Sequence, residues 1–268
     1  MKIMVNGAAV YAYTGARPRQ AAHPTLVFVH GAAHDHSVWA LQSRYFAHHG
    51  WNVLALDLPG HGRSAGDALP TIEALADWLP AVLDAVGAGS AALVGHSMGA
   101  LVVLQCAARY TGRITHLALL GPAAPMEVSD VLLDAATNDE QVAYELINGW
   151  SFSAGKQLGG NQVPGMWMTG NALRLLERAH PLALATDLMA CRRYLSGLEA
   201  AVAVRCPALL LIAGRDLMAP AKDAVALAQR IPHSEVITLP GSGHALMAEE
   251  PDVVLDALKA FLAIDRAR

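Results

Sequence analysis

The feature that most constrains the fold is a serine between two glycines at residues 95–99, which read Gly-His-Ser-Met-Gly. The apolar run 91–94 before it predicts a buried strand, and the run 100–108 after it predicts a buried helix. Ser97 therefore sits on a sharp turn, where side chains two positions away would meet the crossing strand and helix, so glycine fills those positions. The amino end of the helix directs its N–H groups and its dipole at the serine, where negative charge would develop.

Apolar runs recur along the chain and alternate with segments of helical pattern. The runs 25–29, 52–56, 116–120 and 208–213 are almost continuously apolar and are followed by turn residues, as expected of strands that are buried on both faces. This alternation predicts an α/β fold with a doubly wound, mostly parallel sheet. The Asn-Gly pair at residues 6–7 also predicts a hairpin of two strands near the amino end.

The alternation changes after Pro122, where two long helical stretches are separated by a glycine-rich, loop-like stretch. A segment of this length is unusual as a simple connection within a compact sheet domain. We therefore predict a helical cap at residues 123–200, inserted into a core that is formed by residues 1–122 and 201–268.

A serine hydroxyl is a weak nucleophile unless a base takes its proton and a carboxylate orients that base. Asp216 follows the predicted strand 208–213, and His244 follows a predicted strand at residues 235–239. Both therefore stand at carboxyl ends of strands, where open α/β sheets place their sites. The order Ser97, Asp216, His244 predicts a catalytic triad.

These motifs resemble the α/β-hydrolase fold family along nearly the whole chain. Residues 95–99 resemble its nucleophile elbow, and residues 30–33, His-Gly-Ala-Ala, resemble its oxyanion loop. Residues 57–64, Asp-Leu-Pro-Gly-His-Gly-Arg-Ser, are similar to a loop typical of the family, as are residues 214–216 and 243–244. Together these motifs are specific for the fold and the triad, and weakly specific for the substrate.

The resemblance implies a mechanism. The triad histidine, held in one tautomer by the aspartate, takes the proton of Ser97, which attacks a carbonyl carbon and forms an acyl-enzyme that water then releases. Two backbone N–H groups are expected to stabilise the oxyanion: that of Met98 and one from the loop after His30. The family pattern points to Ala32, and Ala33 stays open because the register could shift by one residue.

Several residues are candidates for the substrate pocket, and each has a structural alternative. In the cap, large apolar side chains could line the pocket or form the cap's own core, and we weigh these two interpretations equally. Beyond the oxyanion loop, polar side chains could stand at the pocket mouth. The predicted pocket residues are Ala33, Asp35, His36, Trp150, Trp167 and Met168.

Some polar residues near the predicted site favour a structural role. Asp57 could be a catalytic carboxylate, but it precedes the serine in the chain, so we predict a turn residue. His30 is expected to shape the oxyanion loop, and His96 is expected to pack behind the elbow. The His-Asp-His run at residues 34–36 suggests a metal, but adjacent loop residues rarely converge on one ion, and no fourth ligand is evident.

Composition excludes several classes. The net charge is −4 and basic residues form no run, which disfavours nucleic acid and anionic membranes as partners. Three cysteines without a Cys-x-x-Cys pair suit free thiols in a reducing cytoplasm. We see no signal-peptide pattern, and no apolar run approaches the ~18 residues of a membrane span. No nucleotide loop, flavin motif or metal set implies a cofactor.

The sequence therefore predicts a serine esterase for small to medium esters. The same triad in this fold also serves lactonases, thioesterases, amidases, perhydrolases and carbon–carbon bond hydrolases, which the fold alone does not separate. Dehalogenases and epoxide hydrolases carry an aspartate at the elbow, whereas this chain has Ser97. A non-catalytic receptor for a small ligand is the alternative from another class, although a receptor does not need a complete triad. The oligomeric state stays open.

Overall fold

The computed structural model describes residues 1–160 and 165–263. Within these residues, eight strands form one sheet: β1 Lys2–Val5, β2 Ala8–Tyr13, β3 Thr25–Val29, β4 Asn52–Leu56, β5 Ala91–His96, β6 Ile114–Leu120, β7 Ala208–Ala213 and β8 Ser234–Leu239. Their order across the sheet is β1-β2-β4-β3-β5-β6-β7-β8. The first two strands pair in antiparallel fashion and β2 is antiparallel to β4, whereas all later neighbours are parallel. The predicted mostly parallel α/β sheet is confirmed.

Helices cover both faces of this sheet. They are α1 Ala40–His48, α2 Ile72–Ala85, α3 Met98–Arg109, α4 Asp130–Asn138, α5 Glu140–Ser151, α6 Ala154–Gln157, α7 Met168–Leu176, α8 Ala183–Arg193, α9 Gly197–Ala203, α10 Ala221–Ala228, α11 Leu246–Glu249 and α12 Pro251–Ala263. A 3-10 helix, His36–Trp39, precedes α1. None of the helices in the described ranges combines the length and the apolar character that a membrane crossing requires.

The central strands are buried on both faces because successive side chains point to opposite sides of the sheet. In β3, Val27 and Val29 pack with α2 and α3 on one face, while Leu26 and Phe28 pack with α1 and α12 on the other. This double burial explains why the strand sequences are apolar throughout rather than alternating.

The sequence predicts a kink or a split at Pro80 in the helix after β4. The structure instead has one helix, α2, that runs from Ile72 to Ala85 through the proline. Proline removes one N–H donor from the helix, but Pro80 is buried and α2 packs against α3 and β1. Packing of the apolar face therefore holds the helix together despite the missing hydrogen bond.

Helices α4 to α8 lie between β6 and β7 in the chain and are called the cap helices. Of these, α4, α5, α7 and α8 share an apolar cluster, built on residues such as Leu132, Ile147 and Leu184, which Ala33 also joins. The division into a cap at 123–200 and a core stays a prediction. Its boundary at residue 200 falls within α9, which packs on α3 of the core. Residues 161–164 and 264–268, which the predicted cap and core include, lie outside the described residues.

Candidate active site

Ser97 occupies the turn between β5 and α3 with φ 55° and ψ −121°, a region that side-chain-bearing residues seldom adopt. A Cβ atom at Gly95 would lie 2.2 Å from the Gly99 carbonyl oxygen, and one at Gly99 would lie 2.4 Å from the Val29 carbonyl oxygen. Real Cβ atoms do not approach backbone so closely. The glycines are therefore required because the strand and the helix cross at this point, as the sequence predicts.

The oxyanion loop lies directly against this turn. A Cβ atom at Gly31 would lie 3.2 Å from the Cβ atom of Ser97, and Ala32 lines the same cavity as Ser97. Met98 is the first residue of α3, so its N–H has no acceptor one turn earlier in the helix. The two N–H groups that the sequence proposes as oxyanion donors thus belong to segments that meet at the serine.

The structure distinguishes Ala32 from Ala33. The Ala33 N–H donates to Oδ2 of Asp187 at 2.9 Å, so it is already engaged away from Ser97. Among the described residues, no acceptor is found for the Ala32 N–H. The geometry therefore favours Ala32 as the second donor.

His244 and Asp216 form the second half of the arrangement. Nδ1 of His244 lies 2.8 Å from Oδ2 of Asp216, and both side chains are almost fully buried. Oδ1 of Asp216 accepts hydrogen bonds from the N–H groups of Met218 and Ala219, each at 2.8 Å. With the carboxylate fixed at both oxygens, Nδ1 of His244 donates to it, and this tautomer leaves Nε2 as a proton acceptor.

His96 supports this histidine from behind the elbow. Its Nε2 donates to the His244 carbonyl oxygen at 2.9 Å, and the two rings lie 4.7 Å apart between centroids. Burial holds the pKa of His96 well below its ordinary value, and the neighbouring His244 lowers it further. A neutral His96 therefore packs at the site, in keeping with the structural role that the sequence predicts.

Ser97 and His244 line one cavity of about 850 Å³ between the sheet and the cap helices. Most of its wall is apolar and comes from the cap and from the loops after β7 and β8. The apolar side chains include those of Met126, Leu132, Ile147, Trp150, Phe152, Met168, Leu188, Met218 and Met247. A nucleophile candidate and a base candidate thus line the same largely apolar cavity.

The model of the Alpha/beta hydrolase family matches residues 26–257. The chain belongs to this family. Pimeloyl-(acyl-carrier protein) methyl ester esterase from Xanthomonas campestris pv. campestris (strain B100) is 29% identical over 249 residues, which are 90% of this chain and 95% of that protein. (E)-2-((N-methylformamido)methylene)succinate hydrolase from Acinetobacter baylyi is 23% identical over 243 residues, 88% of this chain and 89% of that protein.

A solved structure shares the architecture of this family member. The enol-lactonase from Burkholderia xenovorans LB400 superposes with a TM-score of 0.89 at 24% identity, covering 98% of this chain and 100% of that one. At this identity the likeness shows the fold alone.

Of the six predicted pocket residues, Trp150 and Met168 line the cavity, and the other four lie outside its lining. Ala33 packs its side chain into the cap cluster instead. The ring of Trp167 lies over Gly170, where a Cβ atom would be 2.1 Å from the indole, and 71% of Trp167 is exposed. The packing of Ala33 and the exposure of Trp167 depend on how the cap helices pack, which the local sequence pattern does not specify.

Asp35 and His36 are used in loop structure rather than in the cavity wall. Asp35 caps the 3-10 helix by accepting from the Ser37 N–H at 2.8 Å. Oδ1 of Asp57 accepts from both the N–H and Nδ1 of His36, at 2.8 and 2.7 Å, and Oδ2 accepts from the Arg63 N–H. Ligand atoms of Asp35, His36 and Asp57 lie within 4.8 Å of one another, but these hydrogen bonds already use them. Asp57 has the turn role that the sequence favours.

His30 shapes the oxyanion loop, as expected from its position. Its Nδ1 donates to the Gly31 carbonyl oxygen at 2.8 Å, and its Nε2 accepts from the Leu58 N–H at 3.2 Å. Burial, reinforced by the nearby His61, holds the pKa of His30 well below its ordinary value. A neutral ring thus ties the oxyanion loop to the loop after β4.

Two buried acids at the site are absent from the sequence predictions. Asp187 of α8 bonds the oxyanion loop. Glu249 of α11 accepts from the Gly243 N–H beside His244, and from the N–H and hydroxyl of Ser153 after α5. Each acid therefore joins the cap region to a loop that carries a predicted site residue.

Proposed function

We propose that this chain is a serine hydrolase that cleaves carboxylic esters of small to medium substrates through an acyl-enzyme on Ser97. The observation that carries the proposal is the buried His244–Asp216 pair, at 2.8 Å, in the wall of the cavity that also holds Ser97 on its strained turn. This combination supplies a nucleophile, a base and an orienting carboxylate.

The chemistry follows from these roles. Nε2 of His244 takes the Ser97 hydroxyl proton while the hydroxyl oxygen attacks the ester carbonyl carbon, and Asp216 stabilises the imidazolium that forms. The N–H groups of Ala32 and Met98 stabilise the oxyanion. As the intermediate collapses, the leaving alcohol receives the proton from His244. Water, deprotonated by the same histidine, then attacks the acyl carbon, and the Ser97 oxygen leaves with that proton as the acid is released.

The comparisons and the cavity support this substrate class. Membership of the alpha/beta hydrolase family and the hydrolases among its relatives support hydrolase activity, and one relative is a methyl ester esterase. A largely apolar cavity of about 850 Å³ has the size of a small-molecule site. Its methionines, Met126, Met168 and Met218 among them, suit acyl groups of varied shape.

Hydrolysis of a p-nitrophenyl ester series from acetate to long-chain acyl groups tests the proposal, with Ser97→Ala as the blank. We expect turnover that peaks at short to medium acyl chains and disappears in the variant. A fluorophosphonate probe, which labels an activated serine, runs in parallel. Labelling of Ser97 without ester turnover would redirect the assignment to lactones, thioesters, amides or carbon–carbon bonds. Neither labelling nor turnover would favour a ligand receptor.

A further inference from the structure

Asp187 lies on α8 of the cap region, yet its carboxylate is bonded to the oxyanion loop. Only 1% of the residue is exposed. Its Oδ2 accepts the Ala33 N–H at 2.9 Å and also lies 2.8 Å from Nε2 of His61. Both contacts meet this one oxygen, and Oδ1 is buried with no partner among the described residues. Because a buried carboxylate without donors is costly, the two contacts at Oδ2 hold the acid in place.

The peptide between Ala32 and Ala33 is held at both ends. Nδ1 of His34 donates to the Ala32 carbonyl oxygen at 2.7 Å, and Asp187 accepts the N–H of the same peptide unit. Ala33 has a φ of 54°, a left-handed conformation that costs a residue with a Cβ atom free energy and persists only where its surroundings enforce it. The N–H of Ala32 stands one peptide unit earlier, so its direction depends on this clamp.

His61 is the second partner of the Asp187 carboxylate. Its Nδ1 lies 2.9 Å from the Pro59 carbonyl oxygen, so both ring nitrogens face acceptors, an environment that favours the imidazolium form. Burial alone would lower the pKa of His61, but the Asp187 carboxylate, the Pro59 carbonyl and Asp57 together outweigh burial, and the pKa is raised. The other titratable groups that act on the ring are His30, whose ring lies 5.0 Å away, and the Asp57 carboxylate.

We propose that Asp187 is a positioning residue for the oxyanion hole: by clamping the peptide between Ala32 and Ala33 from the cap side, it aims the Ala32 N–H at the reacting carbonyl oxygen. This inference rests on the proposed serine esterase function. Asp187 itself does not touch the substrate, because it lies behind the loop and outside the cavity lining. The cap therefore contributes to the chemical step as well as to the pocket wall.

Asp187→Ala and Asp187→Asn separate this role from general stabilisation. Alanine removes the acceptor of the Ala33 N–H, and we expect kcat to fall about 100-fold, as when an oxyanion donor is lost, with KM changed less than about threefold because the acyl pocket is untouched. Asparagine with its oxygen in place of Oδ2 can still accept from the Ala33 N–H and from Nε2 of His61, and its NH₂ group then takes the place of Oδ1, which has no partner among the described residues. At pH 8 Asp187→Asn is therefore expected to keep kcat within about fivefold of wild type.

His61→Gln is the matched control. It removes the imidazolium but leaves the bond from Ala33 to Asp187, and glutamine can donate to the same carboxylate. We expect its kcat to stay within about threefold of wild type even where its melting temperature falls. If Asp187→Ala does not fold, His34→Ala tests the same clamp from its other end, because it removes the donor to the Ala32 carbonyl oxygen. We expect kcat to fall more than KM rises, and an unchanged kcat would overturn the inference.

A thionoester substrate supplies a readout that a merely structural role would not move. Sulfur accepts hydrogen bonds weakly, so its turnover gains little from an oxyanion hole, and Asp187→Ala should lower the ester rate far more than the thionoester rate. Equal losses on both substrates, an unchanged kcat in folded Asp187→Ala, or a His61→Gln loss as large as that of Asp187→Ala would overturn the inference. Wild-type protein without ester turnover would overturn the proposed function instead.

Discussion

Removal of the Glu249 carboxylate should destabilise the protein and displace His244. Glu249 is 1% exposed. Its Oε1 accepts the Ser153 N–H at 2.7 Å, and its Oε2 accepts the Ser153 hydroxyl at 2.7 Å and the Gly243 N–H at 3.2 Å. In Glu249→Ala both backbone donors stay buried without an acceptor, each at a cost of about 1–3 kcal/mol. With the lost hydroxyl bond, we expect a loss of about 3–6 kcal/mol in the free energy of unfolding.

Two milder variants are expected to lose only part of this free energy of unfolding. In Glu249→Gln one oxygen becomes an NH₂ donor and faces another donor, so about one of the three bonds is lost, at about 1–3 kcal/mol. In Ser153→Ala only the hydroxyl bond is lost, at about 1–2 kcal/mol. Glu145→Ala, an exposed helical glutamate, is the matched control and should stay within about 0.5 kcal/mol of wild type.

Urea denaturation followed by circular dichroism measures the series, and ester turnover measures the effect on the site. Because Gly243 directly precedes His244, kcat should fall in Glu249→Ala by more than in Ser153→Ala. A stability of Glu249→Ala within 1 kcal/mol of Glu145→Ala would refute the reasoning, since it would mean that water or other groups satisfy the two buried N–H donors.

Three further outcomes follow from the site. Gly99→Ala should abolish turnover or folding, because its Cβ would meet two backbone oxygens at 2.4 and 2.5 Å. Gly149→Ala, where nothing lies within 4 Å of the added Cβ, should be tolerated. Equal expression and equal turnover of the two variants would contradict this expectation. Asp216→Asn should lower kcat by orders of magnitude while the melting temperature shows that the fold is kept, and near-wild-type turnover would exclude Asp216 as the triad acid. Burial holds the pKa values of His30 and His96 below the ordinary 6.5, so the unfolded chain binds protons at these residues before the folded chain does. The free energy of unfolding should therefore fall as the pH is lowered from 7.5 to 5.5, by at most about 1.4 kcal/mol per histidine. His61, whose raised pKa acts in the opposite sense, offsets part of this fall. Urea denaturation at the two pH values decides it, and equal or higher stability at pH 5.5 would contradict it.

The sheet was predictable from the sequence because its strands are buried on both faces. Double burial makes residues 53–56 and 208–213 apolar at every position, and the structure has strands at Asn52–Leu56 and Ala208–Ala213. The elbow was equally predictable, because any side chain at its two glycines would clash with backbone atoms. A short stretch of sequence is enough to predict structure where the constraint acts on that stretch alone.

The contacts of the cap were not predictable in this way. The bond from Ala33 to Asp187 joins residues 154 positions apart, and the bond from Ser153 to Glu249 joins residues 96 positions apart. An acid on an amphipathic helix has the sequence pattern of a solvent-exposed residue, and only the packing of α8 shows that Asp187 is buried. For the same reason Trp167, a large apolar residue, was assigned to the pocket although it lies on the outer surface.

The two buried acids form bonds between the cap region and the rest of the chain, one acid on each side, and these bonds limit how a substrate can enter. Asp187 reaches from α8 to the oxyanion loop, and Glu249 reaches from α11 to the chain after α5. Lifting the cap would strip both carboxylates of their donors and would disturb the two loops that the reaction needs. We therefore expect entry through the existing mouth of the cavity, where the lining residues Leu41 and Leu217 are 51% and 68% exposed. Leu41→Trp should narrow that mouth, and we expect it to raise KM for long-chain esters while kcat for acetate stays unchanged, because Leu41 lies on α1, which bonds neither His244 nor Ala32.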